Sequence, residues 1–261
     1  VLEAIAARIE AFDRTYSRFR DDSLVTRVAS TAGAHPFPAD AGALFDLYRR
    51  LYAVTDGAVS PLVGRTLETM GYDRGYSLRP QATVASVPAW RDSLAWDGSA
   101  LVAVRPVLID VGAAGKGYLV DIVGALLIDR GIVDFVIDAS GDILHSGDAP
   151  IRVALEHPLD ASKAIGIVNL RGASLCASAS NRRSWGEGLH HIIDATTGLP
   201  ARRVIASWAI ADSGLVADGL ATALFFAEPA RLAEEFDFDF VRMFADGRVE
   251  SSSGLDGELF R

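Results

Sequence analysis

The stretch between residues 101 and 131 constrains this chain most. Residues 101–109 are a β-rich run ending at Asp110, a loop of glycine and alanine follows, and a helix is predicted over 116–129, where Gly131 stops it. A strand that feeds a glycine-rich loop and then a helix brings free backbone amides and the positive end of the helix dipole together, a setting suited to a phosphate. The loop Asp110-Val-Gly-Ala-Ala-Gly-Lys-Gly117 nonetheless fits neither common phosphate motif. A P-loop needs glycine in place of Asp110 and Ser or Thr in place of Gly117. A dinucleotide fingerprint read from Gly115 and Gly117 meets Val120 where its third glycine belongs. A bare glycine-rich loop serves a turn as readily as a ligand. Lys116, one of two lysines in the chain with Lys163, tips it toward an anion, since a cation at a helix start opposes the dipole.

Around this unit, helical and extended patterns alternate. Leu2, Ile5, Ile9 and Phe12 predict an amphipathic helix over 1–16 that enters a loop at 17–23, and Leu44, Leu47 and Leu51 predict another over 39–54, stopped by Thr55-Asp56-Gly57. Residues 75–100 read as an irregular connector with a short helix or hairpin. Strands are expected at 133–137, 151–156, 164–170 and 204–210, helices at 215–226 and 229–236, and a hairpin over 240–249 around Asp246-Gly247. The sum is an α+β chain with a mixed sheet, without an internal repeat or linker.

Composition narrows the function. Half of the 261 residues are hydrophobic and 23% are charged, so disorder is excluded, and no run of about 18 apolar residues exists to span a membrane. A net charge of −9 argues against nucleic acid, which is bound by a surplus of Lys and Arg. The lone cysteine, Cys176, excludes an intrachain disulfide and a cysteine zinc site. The chain starts at Val1 with no visible leader, so a cytoplasmic location is favoured, with a trimmed domain exported to the cell envelope as the other case.

Two further groups carry chemistry. Asp218 and Thr222 lie four apart in a predicted helix and project oxygens from one face, which suits Mg²⁺, although a Thr bonding back to its own helix is the commoner reason for such spacing. His190 and His191 are the best candidates for proton transfer near neutrality, and an extended run there would point them to opposite faces. His35, His145 and His157 read as solvated loop residues. Trp90, Trp96, Trp185 and Trp208 read as core or rim. Neither a G-x-S-x-G elbow nor an H-E-x-x-H helix occurs.

Taken in order, six segments resemble the ApbE family, the FAD:protein FMN transferases. Phe12-Asp-Arg-Thr-Tyr-Ser-Arg-Phe-Arg-Asp-Asp-Ser23 resembles the N-terminal segment, Thr55-Asp-Gly-Ala-Val-Ser-Pro61 resembles T-D-G-A-F-D-P, and the 110–117 loop resembles D-L-G-x-I-A-K-G. Ser178-Ala-Ser-Asn-Arg-Arg183 resembles S-G-D-x-R-R, His191-Ile-Ile-Asp194 resembles H-I-I-D-P, and Ala217-Asp-Gly-Leu-Ala-Thr222 resembles A-D-A-L-A-T. The chain departs from these patterns at Val59, Ser60, Ala114, Gly115, Ala179, Ser180 and Ala195, none of which supplies a metal ligand or a base.

The resemblance implies one ApbE-like domain over 1–261, beginning downstream of the family's first motif. It also implies a two-lobed, T-fold-like α+β architecture with a mixed or antiparallel sheet and FAD in the cleft between lobes. Asp110 and Lys116 would contact FAD, Ala58, Val59 and Ser60 would line its adenosine side, Phe19 would stack, and Ile192 would lie close to the flavin. The Ala113 carbonyl with Asp218 and Thr222 would hold Mg²⁺, and His191 would move the proton while Lys116 stabilises phosphate charge. The implied activity is transfer of FMN from FAD to a Thr or Ser hydroxyl of an acceptor flavoprotein, releasing AMP. Mg²⁺-dependent hydrolysis of FAD to FMN and AMP, and flavin binding without turnover, are the alternatives.

Overall fold

The computed structural model describes residues 1–260, which fall into two units: Val1–Ala113 with Ser184–Pro200, and Ala114–Arg183 with residues from 201 onward. In the first unit, α1 (Leu2–Tyr16) forms as its apolar spacing predicts, but only Phe12 and Tyr16, one turn apart near its end, are buried. α2 (Leu24–Val28) is started by Ser23, whose Oγ accepts the Thr26 N–H at 3.2 Å. α3 (Ala41–Val54) buries Leu44, Leu47 and Leu51, with Phe45 and Tyr48 widening the stripe. It stops as expected: Thr55 Oγ1 bonds back to the Leu51 carbonyl, and Asp56 and Gly57 turn the chain through positive φ of 52° and 89°. A single 3₁₀ turn, Pro61–Val63, then leads into α4 (Gly64–Thr69).

This unit holds a three-stranded antiparallel sheet in the order Gly33–Pro36, Ala100–Ala103, Leu94–Trp96. The strand expected over 101–109 is therefore confined to Ala100–Ala103. Pro106 lacks an N–H to continue a ladder, and the chain beyond it bonds to isolated carbonyls instead, Val107 to Val28 and Asp110 to Pro61. Leu67, Met70, Tyr72, Trp185 and Ile193 form a small core here, which gathers residues from both chain segments of the unit.

The second unit carries α5 (Gly115–Ile128), α6 (Gly214–Ala223) and α7 (Pro229–Leu232). Its six-stranded sheet runs Val249–Ser251, Asp239–Phe244, Val204–Ala211, Ser174–Ala179, Ile143–Ser146, Phe135–Asp138. A smaller sheet joins Gly257–Leu259, Ala164–Leu170 and Ile151–Glu156. Every strand pair among the described residues is antiparallel, so the mixed sheet is not realised. Three of these pairs, Phe135–Asp138 with Ile143–Ser146, Ile151–Glu156 with Ala164–Leu170 and Asp239–Phe244 with Val249–Ser251, are joined by short connections that only antiparallel strands can use, whereas a parallel pair needs a crossover of a dozen or more residues. The expected hairpin around Asp246-Gly247 is present, with Gly247 at φ 86°.

Two strands of the six-stranded sheet, Ile143–Ser146 and Ser174–Ala179, escape the sequence pattern. The second, Ser-Leu-Cys-Ala-Ser-Ala, has little of the β-branched and aromatic content that marks a strand. Its small side chains suit α6, which packs against it and against Val204–Ala211. The first makes His145 a buried strand residue rather than a solvated loop one: its Nδ1 accepts the Gly172 N–H at 3.0 Å. No helix among the described residues is long and apolar enough to cross a membrane.

Candidate active site

In the first unit the organising group is one that sequence reasoning passed over. Arg18 is 2% exposed; its Nε donates to Asp110 Oδ2, its Nη1 donates to the Tyr72 carbonyl at 2.8 Å, and its guanidinium lies 4.2 Å from the centre of the Phe19 ring. Asp110 Oδ1 accepts the Gly112 N–H at 2.7 Å, so both carboxylate oxygens are used to shape the start of the 110–117 loop. Burial pushes the Asp110 carboxyl up, but the Arg18 charge and hydrogen bond, with the Gly112 N–H, outweigh it and hold the group below the usual aspartate range. The only sequence signal for Arg18 was its place in the 12–23 segment that resembles ApbE.

Arg18→Met should cost about 3–5 kcal/mol at neutral pH, because it leaves a buried carboxylate without its partner. A carboxyl whose folded value is depressed contributes stability above its ordinary range and loses it as pH falls through the folded value. The variant has lost that contribution already, so its deficit in melting temperature should shrink on acidification. A deficit that is constant with pH would show that Arg18 acts by packing alone.

Phe19 stacks on Tyr76 with ring centres 5.2 Å apart and planes 9° apart, and Tyr72 stacks on Trp185 at 5.7 Å. His191 lies 6.4 Å from the Tyr72 ring. Residues 190–194 do not form one extended run. Leu189–His190 pairs back on Ser184–Trp185, Ile193–Asp194 pairs on Leu199–Pro200, and the chain bends at His191 between the two ladders. The two imidazoles still part ways, for a different reason than alternation: His190 is buried and its Nδ1 accepts the Ile192 N–H at 3.3 Å, while His191 is half-buried. Ile192 is buried beside them.

Ala58, Val59 and Ser60 are also buried, and their polar atoms hold the 55–60 turn. The Val59 N–H donates to Thr55 Oγ1 at 3.0 Å, Ser60 Oγ accepts the Leu62 N–H at 3.2 Å, and the Ala58 carbonyl accepts the Ala195 N–H at 2.9 Å. The last bond ties this turn to the segment that carries His191.

The second unit gathers Lys116, Asp142, Asp218 and Thr222. Gly117 and Gly214 bring α5 and α6 into backbone contact: a Cβ on Gly117 would sit 2.0 Å from the Gly214 carbonyl oxygen. Asp121 of α5 fastens the crossing by accepting the Gly214 and Leu215 N–H groups at 2.6 and 2.8 Å, which satisfies open donors at the start of α6. From α6, Asp218 Oδ2 accepts the Gly117 N–H at 2.9 Å. Burial pushes the Asp218 carboxyl well above the usual range, and the nearby Asp142 charge adds to the shift. Thr222, one turn on, has its Oγ1 3.4 Å from Ser178 Oγ. Lys116 extends from the first turn of α5 with Nζ 3.2 Å from Asp142 Oδ2 and 3.3 Å from the Ser140 carbonyl. Cys176 is buried with its thiol pushed well up, first by burial, and is not a nucleophile.

This arrangement fits a hard cation. Asp218, whose charge is opposed by burial and by that of Asp142, and the Thr222 hydroxyl offer oxygen donors only, with Lys116 paired to Asp142 beside them. Among the described residues no three His, Cys, Asp or Glu side chains cluster as metal ligands, so a metal here would draw on hydroxyl and backbone oxygens as well.

The model of the ApbE family matches residues 1–239. The chain belongs to the ApbE family. Among its relatives, the FAD:protein FMN transferase of Klebsiella pneumoniae is 26% identical over 248 residues, covering 87% of this chain and 71% of that protein. The FAD:protein FMN transferase of Rhodobacter capsulatus is 30% identical over 240 residues, 85% of this chain but 46% of the relative. Of solved structures, the flavin transferase ApbE from Vibrio cholerae superposes with a TM-score of 0.78 at 25% identity, over 97% of this chain and 88% of that one. The ApbE protein of Thermotoga maritima superposes with a TM-score of 0.85 at 22% identity over the same shares, a likeness of fold. The expected α+β ApbE architecture is thus present. Within this ApbE chain the segments that carried the resemblance fall into the two clusters: Arg18, Phe19, Asp110 and His191 in one unit, Lys116, Ser178, Asp218 and Thr222 in the other.

Proposed function

We propose that this chain is an FAD:protein FMN transferase, acting on the Thr or Ser hydroxyl of an acceptor flavoprotein and releasing AMP. The observation that supports it most is the Asp218 cluster: a buried carboxylate whose charge is opposed by burial and by Asp142, with Thr222 one turn away, is a group that a divalent cation would stabilise. Asp218 and Thr222 would be the side-chain donors for Mg²⁺. Bound there, the ion would neutralise pyrophosphate charge and polarise the phosphoryl oxygen.

The remaining work falls to this chain's own side chains. The acceptor hydroxyl oxygen attacks the FMN phosphorus, the pyrophosphate P–O bond breaks, and AMP leaves with the bridging oxygen. His191 takes the hydroxyl proton. Asp110 is close enough to feel the His191 charge, and the same attraction favours the imidazolium that forms. Lys116 stabilises charge on the phosphate oxygens. Ile192 and the Phe19–Tyr76 pair supply apolar surface for the rings of FAD.

The test mixes the protein with FAD, Mg²⁺ and an acceptor flavoprotein and follows flavin fluorescence in a denaturing gel. A fluorescent acceptor band that needs Mg²⁺ and disappears when the acceptor Thr or Ser is replaced by Ala is expected. Release of free FMN and AMP with no labelled band would make the chain a hydrolase, and intact FAD would leave it a binding protein.

A further inference from the structure

We propose that Asp142 is the positioning residue for Lys116, a role that rests on the transferase reading above. The pair is asymmetric: Asp142 is 0% exposed, whereas the Lys116 side chain is 42% exposed and reaches inward to it. A lysine has four flexible carbons, and an ammonium left in solvent would sample many positions. Here its head is held by one turn through an ion pair with Asp142 Oδ2 at 3.2 Å and a hydrogen bond to the Ser140 carbonyl at 3.3 Å.

The turn is shaped for this. Ser140 and Gly141 both have positive φ, 59° and 98°, the former in a region that a residue with a Cβ seldom adopts. The Gly141 N–H is tied to Asp138 Oδ1 at 3.0 Å, and the Ala139 N–H to the Asp142 carbonyl at 2.9 Å. The other Asp142 oxygen, Oδ1, accepts the Ala177 N–H at 3.3 Å, so the carboxylate is fixed to the sheet while it faces Lys116. The strained turn thus places a carbonyl and a carboxylate together at the start of α5, where the cation must wait for a phosphate. Asp142 itself touches no substrate in this account; it acts through the lysine.

Two measurements on the full-length protein test this. Lys116 and Lys163 are the only lysines, so ¹³C-dimethylation of the folded protein, which keeps their charge, labels two side chains resolvable by NMR. Asp142→Asn should move the Lys116 signal and leave that of Lys163 in place. A double-mutant cycle with Lys116→Ala then reads FAD titration and single-turnover FMN transfer. Asp142→Asn alone should lower the transfer rate roughly 10- to 100-fold with a smaller change in FAD affinity, since it loosens a charge needed most in the transition state. In the Lys116→Ala background it should change neither. A melting temperature at or above that of wild type is expected, because the substitution removes a buried charge.

A Lys116 signal indifferent to Asp142→Asn, or losses that add in the double variant, would overturn the positioning role. Absence of transfer by the wild-type protein would overturn the functional reading alone, while a moved Lys116 signal would still support the pairing.

Discussion

Replacing His191 with alanine should slow FMN transfer roughly 10²- to 10⁴-fold while leaving FAD binding nearly unchanged, as expected on removing a general base. His191 is half-buried at the bend between two short ladders, near Tyr72 and within the field of Asp110. Its neighbour is the control. His190 is buried and its Nδ1 accepts the Ile192 N–H, so His190→Ala leaves a buried donor unpaired, at a cost of about 1–3 kcal/mol in stability. The two variants should therefore separate: His191→Ala folds normally and transfers slowly, and His190→Ala melts earlier and transfers at near wild-type rate per folded molecule. Single-turnover labelling of the acceptor by each variant, with FAD binding and thermal melts measured alongside, checks this. Near-normal transfer by His191→Ala, or equal losses in both, would remove His191 from the mechanism.

Asp218→Asn should abolish Mg²⁺-dependent transfer and at the same time raise the melting temperature of the metal-free protein at neutral pH. The sign follows from the raised carboxyl. A group whose folded value lies above its unfolded value contributes stability that is complete below the ordinary aspartate range and is lost as pH rises through the folded value. Near neutrality the metal-free wild type has thus lost part or all of that contribution, because burial and Asp142 both oppose ionisation of Asp218. Asparagine keeps an oxygen for the Gly117 N–H and carries no charge, so the fold is retained. A gain of about 1–2 kcal/mol would raise the melting temperature by roughly 2–8 °C in a chain of this size. The advantage should vanish in acid, where Asp218 is protonated. Added Mg²⁺ should raise the melting temperature of the wild type and leave that of Asp218→Asn unmoved. A variant that is less stable than wild type at neutral pH, or that still responds to Mg²⁺, would show that Asp218 is a structural anchor and not a metal ligand.

Each of these expectations joins a residue that was legible in the sequence to a partner that was not. Asp218 and Thr222 stand four apart and share a helix face by geometry alone, so their pairing needed no fold. The charge of Asp142, which adds to burial in raising the Asp218 carboxyl, comes from a turn 76 residues earlier in the chain. The partners of the Asp110 carboxylate, Arg18 from 92 residues away and the Gly112 N–H, were likewise not legible. The histidine pair was found by residue type, but alternation along a strand was the wrong reason to separate the two, because the chain bends at His191.

The sequence by itself determined the helices α1 and α3, the stop at Thr55-Asp56-Gly57, the hairpin at Asp246-Gly247, the loop into α5 and the residue types able to handle a proton, a phosphate and a cation. These are local properties: periodicity, turn residues and spacing within one helix act over a few residues and do not depend on the rest of the chain. The tertiary structure alone decided which strands pair, and so that every pair among the described residues is antiparallel. It alone made a core strand of the small residues Ser174–Ala179, buried Arg18 against Asp110 and turned Lys116 onto Asp142. Those outcomes depend on which distant segments meet and how much water they exclude. A carboxylate's charge and a lysine's direction are set by through-space partners and burial, and neither leaves a period in the sequence.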